Sequence, residues 1–154
     1  MEQLLYSNNQ IQLYGKLNLL AGLIKITKKV IFQILSDHNK SLSIIEFNFI
    51  NDAELLQINI DSLNHNYYTD IITFDYSDAN IIEGDIYISI ERVKDNAIQF
   101  KKENIEELIR VICHGVLHLV GYKDKSTNDI KVMREKEGYY IGVFKNKCSS
   151  WNSN

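Results

Sequence analysis

The chain has 154 residues, 45% of them hydrophobic and 24% charged, with a formal net charge of -3. That is enough apolar material for one domain with one core, and the acidic balance points to no polyanion, so a nucleic-acid partner would need a local basic patch. The most apolar stretch, Leu17 to Leu35, is broken by Lys25, Lys28 and Lys29, so no run reaches the roughly 18 residues that span a bilayer and no membrane role is expected. The opening Met1-Glu2-Gln3 is not followed by a charged segment and an apolar one, so no secretory leader is read and a cytoplasmic location is expected. Cys113 and Cys148 lie far apart without CxxC spacing, which reads as two reduced thiols.

In chain order, Ile11 and Leu13 suggest a short strand, and Leu17 to Asp37 places Leu19, Leu20, Leu23, Ile24, Ile31, Ile34 and Leu35 at helical spacing. Leu42 to Phe49, rich in Ile and Phe and too short for a helix, reads as a strand. Asn51 is a cap candidate for a helix over Asp52 to Ile60. Ile71 to Phe74 is a strand, and Ile86 to Ile90 an alternating strand entered through Gly84. Arg92 to Phe100 returns to helical spacing, and Asn104 with Glu106 and Glu107 starts the next helix. Ser126, with Asp129 three residues on, caps a last helix through Met133 and Tyr140 toward Phe144, where a polar tail is expected to begin. Strands mixed with helices in this order predict an α+β domain over residues 1–146, with a small mixed β-sheet, and a polar tail over 147–154.

The chemistry concentrates in Cys113-His114-Gly115-Val116-Leu117-His118-Leu119-Val120-Gly121-Tyr122-Lys123-Asp124. Histidines at i and i+4 share one helix face, about 6 Å apart along the axis, so both imidazoles can reach one ion. Gly121 ends the helix and turns the chain, which brings Asp124 over the same face as a third ligand and leaves a fourth position for water, the pattern of catalytic zinc. In an apolar helix two unpartnered imidazoles are costly, and a metal supplies a partner for each. Gly115 stands where HExxH peptidases carry their general-base Glu, so the water-activating group must come from elsewhere. Gly115 itself serves either close approach to the helix or tight packing.

HGVLHLVGYKD resembles the signature of the YbeY family of bacterial single-strand-specific endoribonucleases, which act in ribosomal RNA maturation. Thr69-Asp70-Ile71-Ile72-Thr73-Phe74 is similar to that family's TDVLSF segment, and Gly84-Asp85-Ile86 to its GDI strand; the likeness runs roughly from Phe47 to Glu137. It implies a zincin-like metal helix at a cleft lined by the sheet edge, with one Zn2+ on His114, His118 and Asp124. It also implies cleavage of single-stranded RNA in 16S rRNA 3' end processing and ribosome quality control. The implied partners are rRNA, the small ribosomal subunit and its assembly factors, with no DNA expected.

Two departures are visible. The family's third histidine is replaced by Asp124, and the arginine expected six residues before Thr69 is Leu63, so a cation is missing there. His65, two residues on, is the nearest candidate to shuttle a proton or act on a phosphate. Lys123, Lys125 and Arg110 lie near enough to the motif to attract phosphates, and Tyr67, Tyr68 and Phe74 are candidates to stack on bases. The expected reaction is phosphodiester hydrolysis, with zinc polarising a phosphoryl oxygen and activating water. The rival readings are a metallopeptidase, opposed by the missing Glu, and a non-enzymatic ribosome-assembly factor with a structural metal.

Overall fold

The computed structural model describes residues 3–17 and 21–152. A five-stranded sheet runs in the order β1-β2-β3-β5-β4, with β1 Leu4–Ser7, β2 Ile11–Gly15, β3 Ser41–Ile50, β4 Ile71–Asp75 and β5 Ile81–Ser89. The sheet is mixed: β2, β3 and β5 are parallel neighbours, while β1 and β4 add antiparallel edges. Among the described residues five helices complete the α+β architecture: α1 Ala21–Asp37, α2 Asp52–Leu63, α3 Ile90–Gln99, α4 Asn104–Leu119 and α5 Thr127–Asn152.

The parallel pair β2 and β3 needs a crossover, which α1 supplies. Its stripe Ile26, Val30, Ile31, Ile34 and Leu35 is buried in the core with Ile45, Phe47 and Phe49 of the central strand. Each such side chain contributes about 1.5–3 kcal/mol by leaving water. Period-2 alternation on β5 sends Ile86 and Ile88 into this main core, while Tyr87 joins a second cluster of Ile50, Leu55 and Ile72. Helix α2 starts as expected at Asn51, whose side chain accepts from Glu54 N while the Glu54 carboxylate accepts from Asn51 N.

Several boundaries differ from expectation. Strand β1 was not anticipated, because Leu4 and Leu5 sit among polar neighbours and are held by pairing to β2 rather than by their own pattern. Leu17 lies outside α1, and Leu19 and Leu20 of the expected stripe lie outside the described residues. Gly84 is interior to β5 rather than its entrance: a Cβ there would come within 2.8 Å of both Leu119 Cδ2 and Phe74 O, so its bareness lets the end of α4 close onto the sheet. The last helix is capped by Ser126 and Asp129 as read, but it continues past Phe144 to Asn152. Lys145 pairs with Glu106 and Cys148 packs on the main core, so tertiary contact carries the helix into the residues read as the start of a polar tail. Among the described residues no helix is long and apolar enough to cross a membrane.

Candidate metal centre

Helix α4 lies on the sheet through its glycine. A Cβ on Gly115 would sit 2.9 Å from Ile71 Cδ1 and 3.0 Å from Ile86 Cδ1, so tight packing is what this residue serves. With that face buried, His114 and His118 emerge beside edge strand β4, partly exposed at 16% and 26%. The helix then stops in a Schellman turn: Gly121 N donates to His118 O and Tyr122 N to Leu117 O, with Gly121 at φ +117°. That reversal returns Asp124 to the histidines.

The three donor atoms form a small triangle. His118 Nε2 is 3.0 Å from His114 Nε2 and 3.1 Å from Asp124 Oδ2, and His114 Nε2 is 3.3 Å from the same oxygen. Ligand atoms about 2.0–2.1 Å from a tetrahedral zinc ion are themselves about 3.3 Å apart, so the triangle has the size of one face of such a site.

The outer ring nitrogens decide which atoms point inward. His114 Nδ1 lies 2.6 Å from Glu137 Oε2, and His118 Nδ1 lies 2.8 Å from the Tyr122 carbonyl oxygen. Burial pushes the Glu137 carboxyl up, but the His114 hydrogen bond and the Arg110 charge outweigh it and hold it below the ordinary value, so it accepts as a carboxylate. A carbonyl can only accept. Both Nδ1 atoms therefore donate, and in neutral imidazoles both Nε2 atoms then present lone pairs. Two lone pairs and a carboxylate oxygen converging within 3.3 Å repel unless a metal ion or a proton lies among them, and the same three residues could hold a metal ion.

Glu137 is itself secured. It is 2% exposed and shares Oε1 with Arg110 and Arg134, and Arg110 also binds Glu107 and Asp70. Burial opposes the Arg110 charge, yet the hydrogen bond to Glu107 and the Glu137, Glu107 and Asp70 carboxylates keep its pKa raised. Arg110 is thus a brace beneath the site rather than a free phosphate anchor.

His65 is not part of the triangle. It follows α2 on an exposed loop, its ring stacked on Tyr67 at 5.2 Å and its Nδ1 3.0 Å from the Tyr67 hydroxyl. Leu63, at the end of α2, is 42% exposed. Lys123 and Lys125 are exposed on either side of Asp124, whereas Phe74 is half-buried with its edge to Tyr87. Sequence reading missed Glu137, whose signal was a carboxylate on the same α5 stripe as buried Met133, Tyr140 and Phe144. The Tyr122 carbonyl had no signal, since any residue supplies one.

Residues 10–144 match the family described as Endoribonuclease YbeY. An endoribonuclease YbeY of Azobacteroides pseudotrichonymphae is 51% identical over 113 residues, 73% of this chain and 81% of the relative. One from Karelsulcia muelleri is 48% identical over 119 residues, 77% of this chain and 84% of the relative. The solution structure of a Thermotoga maritima protein shares the fold, with a TM-score of 0.62 at 24% identity over 92% of this chain and 91% of the other.

Proposed function

The chain belongs to the endoribonuclease YbeY family and is a hydrolytic nuclease, and from that premise we propose that it cleaves single-stranded RNA with one zinc ion on His114, His118 and Asp124. The observation that carries the proposal is the triangle of three inward-facing acceptors whose outer atoms are already committed to Glu137 and the Tyr122 carbonyl. When bound, a divalent ion supplies Lewis acidity toward a phosphoryl oxygen and lowers the pKa of water. The protein's part is to orient the two imidazoles so that their Nε2 atoms face the ion, and to add the Asp124 charge. Lys123 and Lys125, exposed beside the third ligand, draw the phosphate backbone toward it in a protein whose overall charge does not.

His65 is proposed to move a proton to or from the reacting phosphate, supported by its exposed position on the loop that leads directly into β4. The biological substrate is proposed to be rRNA, at the 16S 3' end, met on the small ribosomal subunit with its assembly factors in the cytoplasm and linked to ribosome quality control. With the family assigned, the peptidase and non-enzymatic readings lose their footing.

The test is cleavage of a labelled single-stranded RNA by purified protein. Cutting should stop with a chelator, return with zinc and be absent from duplex RNA. Cleavage that persists in chelator contradicts the metal assignment.

A further inference from the structure

The segment between α2 and β4 is fastened at both ends and leaves two aromatic rings in water between the fastenings. At its start, Asn64 closes α2 in the left-handed region at φ 56°, and His65 N donates to Asn59 O. Asn59 is 2% exposed, and its amide reaches out of the interior to the Tyr67 carbonyl at 2.9 Å. At the far end the Asp70 carbonyl accepts from Ser89 N, while its carboxylate takes Arg110 and Asn96. Yet Tyr67 and Tyr68 are 56% and 55% exposed.

Each ring is backed on one side by a different group. His65 stacks on Tyr67 with an interplanar angle of 20°, and the Arg92 guanidinium lies 5.2 Å from the Tyr68 centroid. Arg92 is in turn held by Asp52 at 2.6 Å. Rings braced from behind, on a backbone pinned by a buried amide, are ordered before any ligand arrives, and that lowers the entropy cost of binding. The segment is also continuous with the metal centre, since Asp70 binds Arg110 one helical turn before His114, and Ile71 packs on Gly115.

We propose that Tyr67 and Tyr68 are two stacking stations for unpaired bases of the RNA strand entering the metal centre. The inference rests on the endoribonuclease reading above and adds where the strand is held. Continuity with the metal centre favours this occupant, and at a net charge of -3, with Leu63 in place of a cation, phosphate attraction is weak, so base contacts must carry a larger share of the strand's affinity. Bases in a duplex already stack on each other and offer no free face, so the stations select single strands without reading sequence.

The test uses fluorescence anisotropy with zinc-loaded protein and a labelled single-stranded 2'-O-methyl oligouridylate, beside a strand of equal charge with abasic sites. The Tyr67→Ala, Tyr68→Ala double variant should bind the oligouridylate at least about 25-fold more weakly, about fivefold per ring. Tyr67→Phe with Tyr68→Phe should restore binding, and all three proteins should bind the abasic strand alike. Wild-type affinity in the alanine variant would overturn the stations and leave the rings to another partner, such as a protein. Wild-type protein that neither binds nor cuts single-stranded RNA would overturn the endoribonuclease reading itself.

Discussion

At the scale of residues, the centre depends as much on the groups behind the histidines as on the histidines. Glu137 fixes the His114 tautomer, and Arg110 keeps Glu137 charged in a buried position. Replacing Glu137 with Gln preserves an acceptor but removes the charge, so zinc affinity should fall about 10–100-fold. Competition with a chromophoric chelator measures this, and unchanged affinity would make Glu137 a packing residue. His114→Ala and Asp124→Ala should each lower bound zinc in elemental analysis, and unchanged metal in both would remove the ligand assignment. As the proposed third ligand, Asp124 would bring a negative charge where an imidazole would bring none, and that would weaken the electrophilic pull of a bound ion. His65→Ala should slow cleavage while leaving metal content intact.

At the scale of elements, α4 places the two histidines and its turn steers Asp124 back to them. Gly121 sits at φ +117°, which side chains rarely adopt, so Gly121→Ala should disturb the return of Asp124 and reduce metal binding more than its open surroundings suggest. Gly115→Ala has the opposite character. Its methyl would press on the side chains of Ile71 and Ile86, and overpacking of about 1–3 kcal/mol, set against the gain of up to about 1 kcal/mol from replacing a mid-helix glycine, should leave a lower Tm. The i, i+4 histidines, the glycine stop and Asp124 were legible because their geometry is local to one helix and one turn. Strand β1, the interior placement of Gly84 and the end of α5 were not, because each is set by contact outside its own pattern: with the next strand β2, with Leu119 and with Glu106 respectively. Glu137 lies between these cases, since its place on an apolar stripe was visible but its partner, 23 residues away, was not.

At the scale of the whole molecule, α5 packs on both α4 and α1 and ties the metal helix to the end of α1. The Tyr140 hydroxyl donates to Asp37 at 2.7 Å and, against the opposing effect of burial, holds that carboxyl below its ordinary value. A lowered folded-state value means stabilisation that is present above the unfolded-state pKa and lost as pH falls through the folded one. Asp37→Asn should therefore lower Tm at neutral pH, with the gap closing in acid; a gap independent of pH would mean the carboxylate charge is not what matters. Burial also separates the two thiols. Cys113 is 1% exposed and its pKa is pushed up to about 12, mainly by burial, so native alkylation should modify Cys148 first and reach Cys113 only on unfolding.

The claim on which the rest stands is that His114, His118 and Asp124 together grip one ion. X-ray absorption at the zinc edge on zinc-loaded protein tests it most directly. One zinc per chain should show two imidazole nitrogens and a carboxylate oxygen at about 2.0–2.1 Å, with no sulfur. A sulfur shell at about 2.3 Å, or zinc that shows no imidazole scattering, would contradict it.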